Sequence, residues 1–125
     1  MNIWVAIALG GAGGAMSRYW VMIHTAEWFG KGFPYGTLLV NVVGSFVLGF
    51  LSIVFVQKLQ IPDAMRLAII VGFLGAFTTF STFSLDVLNA YLAGQGLKAM
   101  MYAVSSVFMS LLGVSLGYLL AKSFA

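Results

Sequence analysis

The chain has 125 residues, of which 62% are apolar and 7% charged, with a formal net charge of +3 and no cysteine. A soluble domain carries about 25% charged residues, so this little charge cannot cover a water-exposed surface and points to an integral membrane protein, as does the mean hydropathy of +1.05. The absent cysteines exclude a disulfide framework and a thiolate metal site, and the scattered positive charge, without a basic run or a stacked-aromatic stripe, leaves no footprint for nucleic acid.

Apolar runs of about 20 residues mark spanning helices, and four are expected, making one transmembrane domain over residues 1–125. The first covers about residues 3–23. It opens on Met1-Asn2-Ile3-Trp4 without the basic residues of a signal peptide, so a first spanning helix is expected there. The second runs over about residues 36–56. The third stretch, residues 65–93, is too long for one straight span and predicts a break or an overhang. The fourth covers about residues 97–120. Polar joints lie at 24–35, 57–63 and 94–96, and Trp4, Trp20, Trp28 and Tyr35 sit near segment ends, where interfacial aromatics belong. Small residues recur at helix-packing spacing in Gly10/Gly14, Ser45/Gly49, Gly72/Ala76 and Gly113/Gly117, which supports tight assembly rather than any particular chemistry.

Four spans place both termini and the second joint on one side. That side holds Lys58, Arg66 and Lys122; the other holds Arg18, Lys31 and Lys98. A balanced tally gives almost no orientation signal. It fits a chain that inserts both ways and pairs as an antiparallel dimer, and it also fits a tally too small to carry information.

The third stretch is the most informative. Residues 72–84 pack five hydroxyl side chains and four phenylalanines into a run that is otherwise apolar. Hydroxyls at bilayer depth need partners or water, and glycines beside β-branched threonines weaken a helix. A helix broken in mid-membrane around a polar pathway is the expectation. At such a break backbone carbonyls lose their intrahelical donors, so two copies meeting there could hold a bare cation. Phe80 and Phe83 share a face at i, i+3. They read either as packing or as rings whose positive edges meet a small anion. No Lys, Arg or His lies within residues 72–84, which suits a conduit, since conduction requires entry without trapping.

Elsewhere, Asn41 in the second span is either interhelical glue or a pair of N–H donors for a passing solute. Tyr102, Ser106 and Ser110 put three hydroxyls on one face of the fourth span. They read as a wet track or as hydroxyls bonded back to the preceding turn. His24, Glu27, Asp63 and Asp86 all lie at or near segment ends. No catalytic constellation and no mid-depth proton relay is visible, and the chain is read as a non-enzyme. Asp86 is expected to face a vestibule.

Three motifs then form a set. Gly10-Gly11-Ala12-Gly13-Gly14-Ala15-Met16-Ser17-Arg18-Tyr19, Gly36-Thr37-Leu38-Leu39-Val40-Asn41-Val42-Val43-Gly44-Ser45-Phe46, and the Thr78-Thr79-Phe80-Ser81-Thr82-Phe83 core of residues 72–84 resemble, in this order, the CrcB, or Fluc, family of bacterial fluoride channels. The resemblance covers essentially the whole chain. It implies an all-α, dual-topology antiparallel homodimer in the bacterial inner membrane, passively exporting cytoplasmic fluoride through two pores lined by both subunits. It further implies that Phe80 and Phe83 supply ring edges to fluoride, with Asn41 as a donor and Ser81 and Thr82 nearby. Tyr102, Ser106 and Ser110 match the family's hydroxyl track. The carbonyls of Gly75 and Thr78 would hold a structural sodium ion, Na+, between subunits. Arg18 matches the motif's arginine, with a vestibular or structural part expected. The rival readings are a small multidrug exporter, which would need a carboxylate in the first span, and a non-conducting subunit of a larger complex.

Overall fold

The computed structural model describes residues 1–124, and all regular structure among them is helical. Helix α1 spans Ile3–Phe29. The Asn2 side chain caps it, accepting from the Trp4 and Val5 amides at 2.7 and 3.4 Å. It runs six residues beyond the expected 3–23. His24 and Glu27 lower the hydropathy there, but polarity ends a lipid-buried run without ending a helix. The stop is Gly30, whose φ of 78° is a left-handed conformation that glycine tolerates. The His24 ring stacks on Trp20 with 4.1 Å between centroids, inside the helix and not in a joint.

Helix α2 covers Tyr35–Ile53 and continues through a π-helical turn, Val54–Lys58. The third stretch comprises α3 (Asp63–Leu67), a π-helical segment (Ala68–Leu74), α4 (Gly75–Phe77) and α5 (Phe80–Leu92). Between α4 and α5, Thr78 and Thr79 are extended, with φ/ψ of −87°/159° and −154°/122°. The expected break is therefore present. After a turn at Gly94, α6 spans Gly96–Ser123.

Among the described residues, three helical stretches are long and apolar enough to cross a membrane: Tyr35–Lys58, Asp63–Leu92 and Gly96–Ser123. Helix α1 is not among them. Its 27 residues reach roughly 40 Å at 1.5 Å per residue, ample for a bilayer, but Gly10, Gly11, Gly13, Gly14 and Arg18 dilute its apolar character.

The helices pack as two side-by-side pairs. Helix α1 runs parallel to the third stretch: a Cβ on Gly10 would overlap the Ala68 carbonyl, one on Gly14 the Phe73 carbonyl, and one on Gly72 the Ile7 carbonyl. Helix α2 runs parallel to α6, with Gly49 against Val114, Gly117 against Phe46, and Gly113 against Val42. The glycines of the predicted small-residue pairs thus form two seams in which backbone meets backbone, while Ser45 faces the groove described below. Lys58 donates to the Phe124 carbonyl, tying the end of α2 to the end of α6, while Met1, Pro62 and Met65 line one hollow. Both termini and the second joint therefore lie at one end, and residues 30–34 and 93–95 at the other. Away from these seams many large apolar side chains, such as Leu9, Leu88 and Phe108, are exposed. Of Asp63–Leu92 only Gly72 and Leu74 are buried, as suits a chain whose solvent is largely hydrocarbon.

Adding one methyl group at a seam should cost about 1–3 kcal/mol, because the obstacle is backbone. Gly14→Ala and Gly117→Ala should lower the temperature at which detergent-solubilised protein stops eluting as a folded species. Gly96→Ala, with no atom within 4 Å of its added Cβ, should leave that temperature unchanged.

Candidate functional site at the broken third stretch

A peptide that leaves the helix inside a membrane must have its N–H and C=O satisfied elsewhere. At Thr79 one side chain does both. The Thr79 amide donates to Asn41 Oδ1 at 2.8 Å, and Asn41 Nδ2 donates to the Thr79 carbonyl at 3.0 Å. The partners fix the amide's orientation, since a backbone N–H can only donate and a carbonyl only accept. Asn41 is thus interhelical glue, and its second Nδ2 hydrogen bonds no other described residue.

The clamp sets the rest of the break. Thr79 Oγ1 caps α5 by accepting from the Thr82 amide at 3.1 Å. In a continuous helix the Thr79 and Thr82 amides would bond the carbonyls of Gly75 and Thr78. Both amides are engaged elsewhere, so both carbonyls have lost their helical donors. These are hard oxygen donors of the kind a sodium ion takes, and the chemistry of the pair fits such an ion. The neighbouring Ala76 carbonyl accepts from Arg18 Nε, 58 residues away in sequence, at 3.0 Å.

Beside the break lies a groove of about 260 Å³ lined by Asn41, Ser45, Thr79, Phe80, Phe83, Ser106 and Ser110, among others. The Phe80 and Phe83 rings lie 5.5 Å apart at 51°. Phe83 also packs on Tyr102 at 5.3 Å. Phe80 is 77% exposed on the isolated chain. No ionised side chain lines this groove.

Serine and threonine hydroxyls in membrane helices commonly bond back to the preceding turn. Thr25, Ser52, Thr78, Ser84, Ser115 and Ser123 all do so here. Ser106 does not: the residue is 5% exposed, and its Oγ has no hydrogen-bond partner among the described residues. A buried hydroxyl without a partner is costly. Ser106 also lines the groove wall.

Not every expected residue faces this groove. Tyr102 is buried one turn before Ser106 and donates its hydroxyl to Asp86 Oδ2 at 2.9 Å. Asp86 and Thr82 line a second hollow of about 190 Å³ with Thr25, Lys31, Phe33 and Thr37. Sequence reasoning placed Asp86 by a vestibule but did not single out Lys31 or Thr37 there. Ser81 lies outside both hollows and is exposed, its hydroxyl 3.4 Å from that of Thr79. Among the described residues no group of three His, Cys, Asp or Glu side chains could hold a metal ion.

Because Ser106 Oγ forms no bond in the protein, Ser106→Ala should leave thermal stability within about 0.5 kcal/mol of wild type or raise it. Paired melting curves of the purified proteins measure this. A loss well beyond that range would mean the hydroxyl has an internal partner.

Residues 5–118 match the family described as CrcB-like protein, Camphor Resistance (CrcB). Three similar proteins bear the name fluoride-specific ion channel FluC. The one from Methylococcus capsulatus is 48% identical over 120 residues, which is 96% of this chain and 53% of that protein. The one from Magnetococcus marinus is 45% identical over 116 residues, covering 93% and 94% of the two chains. The one from Roseiflexus is 44% identical over 117 residues, covering 94% of each. The chain therefore spans about half the length of the first relative and nearly all of the other two.

Proposed function

We propose that this chain, which belongs to the CrcB-like family, is a passive fluoride channel, the activity its relatives are named for. The observation that carries the reading is the groove at the break, where the unpartnered Ser106 hydroxyl and the spare Asn41 N–H lie with the Phe80 and Phe83 rings. Hydroxyl and amide donors can replace water around a small, strongly hydrated anion, and ring edges add positive electrostatic potential without a formal charge. With no ionised wall the ion is held weakly enough to leave, as conduction demands. Ser110 extends the donor line along α6, and Thr82 lines the neighbouring hollow at Lys31 and Asp86, where Tyr102 holds the carboxylate. Neutral HF crosses lipid and releases fluoride in a near-neutral cytoplasm, so a passive pore in a bacterial inner membrane suffices for export.

The working unit in this reading is an antiparallel homodimer of four-span chains, α1 supplying the fourth span. Three features support it. Phe80 is a large aromatic left open beside a polar groove, which a second copy would cover. Arg18 is bonded inside the helix bundle and so leaves the loop-charge tally at Lys58, Arg66 and Lys122 against Lys31 and Lys98, still a weak orientation signal. The Gly75 and Thr78 carbonyls, freed of their helical donors, would hold a sodium ion where two copies meet. Such an ion would supply charge compensation for the clustered carbonyls.

The multidrug-exporter reading needs a carboxylate at depth in the first helix, and the one in α1, Glu27, is exposed in its last turn. Electrode-monitored efflux from proteoliposomes holding only this protein tests the channel reading: fluoride should leave and chloride should not. Phe80→Ile and Phe83→Ile should each cut fluoride efflux by about tenfold or more, the scale of losing an aromatic contact, with dimer elution unchanged. Wild-type flux in both variants would remove the ring-edge mechanism.

A further inference from the structure

Arg18 is the one strong motif residue that the conduction pathway leaves unused. It sits in the middle of α1, half-buried, and among the described residues it has no carboxylate within ion-pair distance. A guanidinium placed at depth without a counter-ion is expensive and is expected to serve a specific partner. Its partner is the Ala76 carbonyl, reached by Nε at 3.0 Å. That carbonyl belongs to the last turn of the half-helix that ends at Phe77. In an uninterrupted helix it would accept from the Phe80 amide. Arg18 therefore occupies the acceptor that Phe80 would need for the helix to run through. Asn41, from α2, acts at the next step: its Oδ1 accepts from the Thr79 amide, and its Nδ2 donates to the Thr79 carbonyl. The break is gripped from two sides by side chains of two different helices. The positive charge also sits at a helix C-terminus, where the macrodipole favours it.

We propose that Arg18 is a positioning residue for the ion pathway: by capping Ala76 it keeps α4 and α5 separate, and so sets the direction in which Phe80 and the carbonyls of Gly75 and Thr78 point. What matters is the Nε–H donor rather than the charge. Gln offers a discriminating substitution, because its Nε2 stands the same number of bonds from Cα as the arginine Nε. Lys keeps the charge and moves the nitrogen one bond further out. Met keeps neither donor nor charge.

The test uses the full-length protein with two readouts: amide hydrogen exchange at Phe80 in detergent, and fluoride efflux from proteoliposomes, the latter resting on the channel reading. Arg18→Met should slow Phe80 exchange, as its amide finds the vacated carbonyl, and should lower efflux about tenfold or more, the scale of losing a hydrogen bond from a charged donor. Arg18→Gln should restore both toward wild type. Unchanged exchange and efflux in Arg18→Met would overturn the proposal, as would recovery by Arg18→Lys but not by Arg18→Gln, which would assign the role to charge. If Arg18→Met does not fold, the contrast between Gln and Lys still decides. If the wild type passes no fluoride, the channel reading fails, while exchange at Phe80 continues to judge the role of Arg18.

Discussion

Everything at the centre of this molecule depends on one amide holding one peptide. Extended backbone in hydrocarbon leaves an N–H and a C=O uncompensated, at several kcal/mol for each group. Only a side chain that presents an acceptor and a donor in one plane can satisfy both, and Asn41 does so at Thr79 with bonds of 2.8 and 3.0 Å. In effect the residue acts as a one-residue strand neighbour. Once Thr79 is held, its hydroxyl is free to cap α5, Thr78 is drawn out of the helix, and two carbonyls lose their donors. The polar character of the site follows from that local exchange of partners more than from the hydroxyl content of the sequence.

Hydroxyl content by itself would mislead. Several of the chain's serines and threonines, Ser52, Thr78, Ser84 and Ser115 among them, donate to the preceding turn's carbonyl. Those groups are satisfied and do not invite a solute. Ser106 differs by having no such bond although it is buried, and it lies against a groove free of ionised walls. Charge is kept instead for the neighbouring hollow, where Lys31 and Asp86 both contribute to the lining. In the proposed channel, a neutral groove beside a charged hollow would separate attraction of an ion from its transit.

The sequence showed the break because its signal is local: glycines, threonines and hydroxyls crowded into residues 72–84. It showed the seams because small residues spaced four apart have one common use in lipid. The end of α1 was less legible. Hydropathy falls at His24, yet the helix continues to Phe29 because only Gly30 carries a backbone stop. The roles of Arg18 and Asn41 were the least legible, since their partners lie 58 and 38 residues away. In the charge tally Arg18 is the softest count, since it lies within the first expected span, and in the fold it bonds the Ala76 carbonyl. Phe80 and Thr82 open onto different hollows because residues two apart on one helix do not share a face.

The two glycine seams reverse the usual relation between residue size and tolerance. In a water-soluble domain the damaging changes are deletions, because bulky apolar groups fill the interior and their loss leaves a void. Here the bulky groups, such as Leu111, Leu112 and Phe108, face outward, where one hydrocarbon surface serves about as well as another. Apart from a few large buried side chains such as Val40 and Tyr102, much of the interior is backbone meeting backbone at glycines. Harm should therefore track atoms gained rather than atoms lost, and this fold's susceptible positions are its smallest residues.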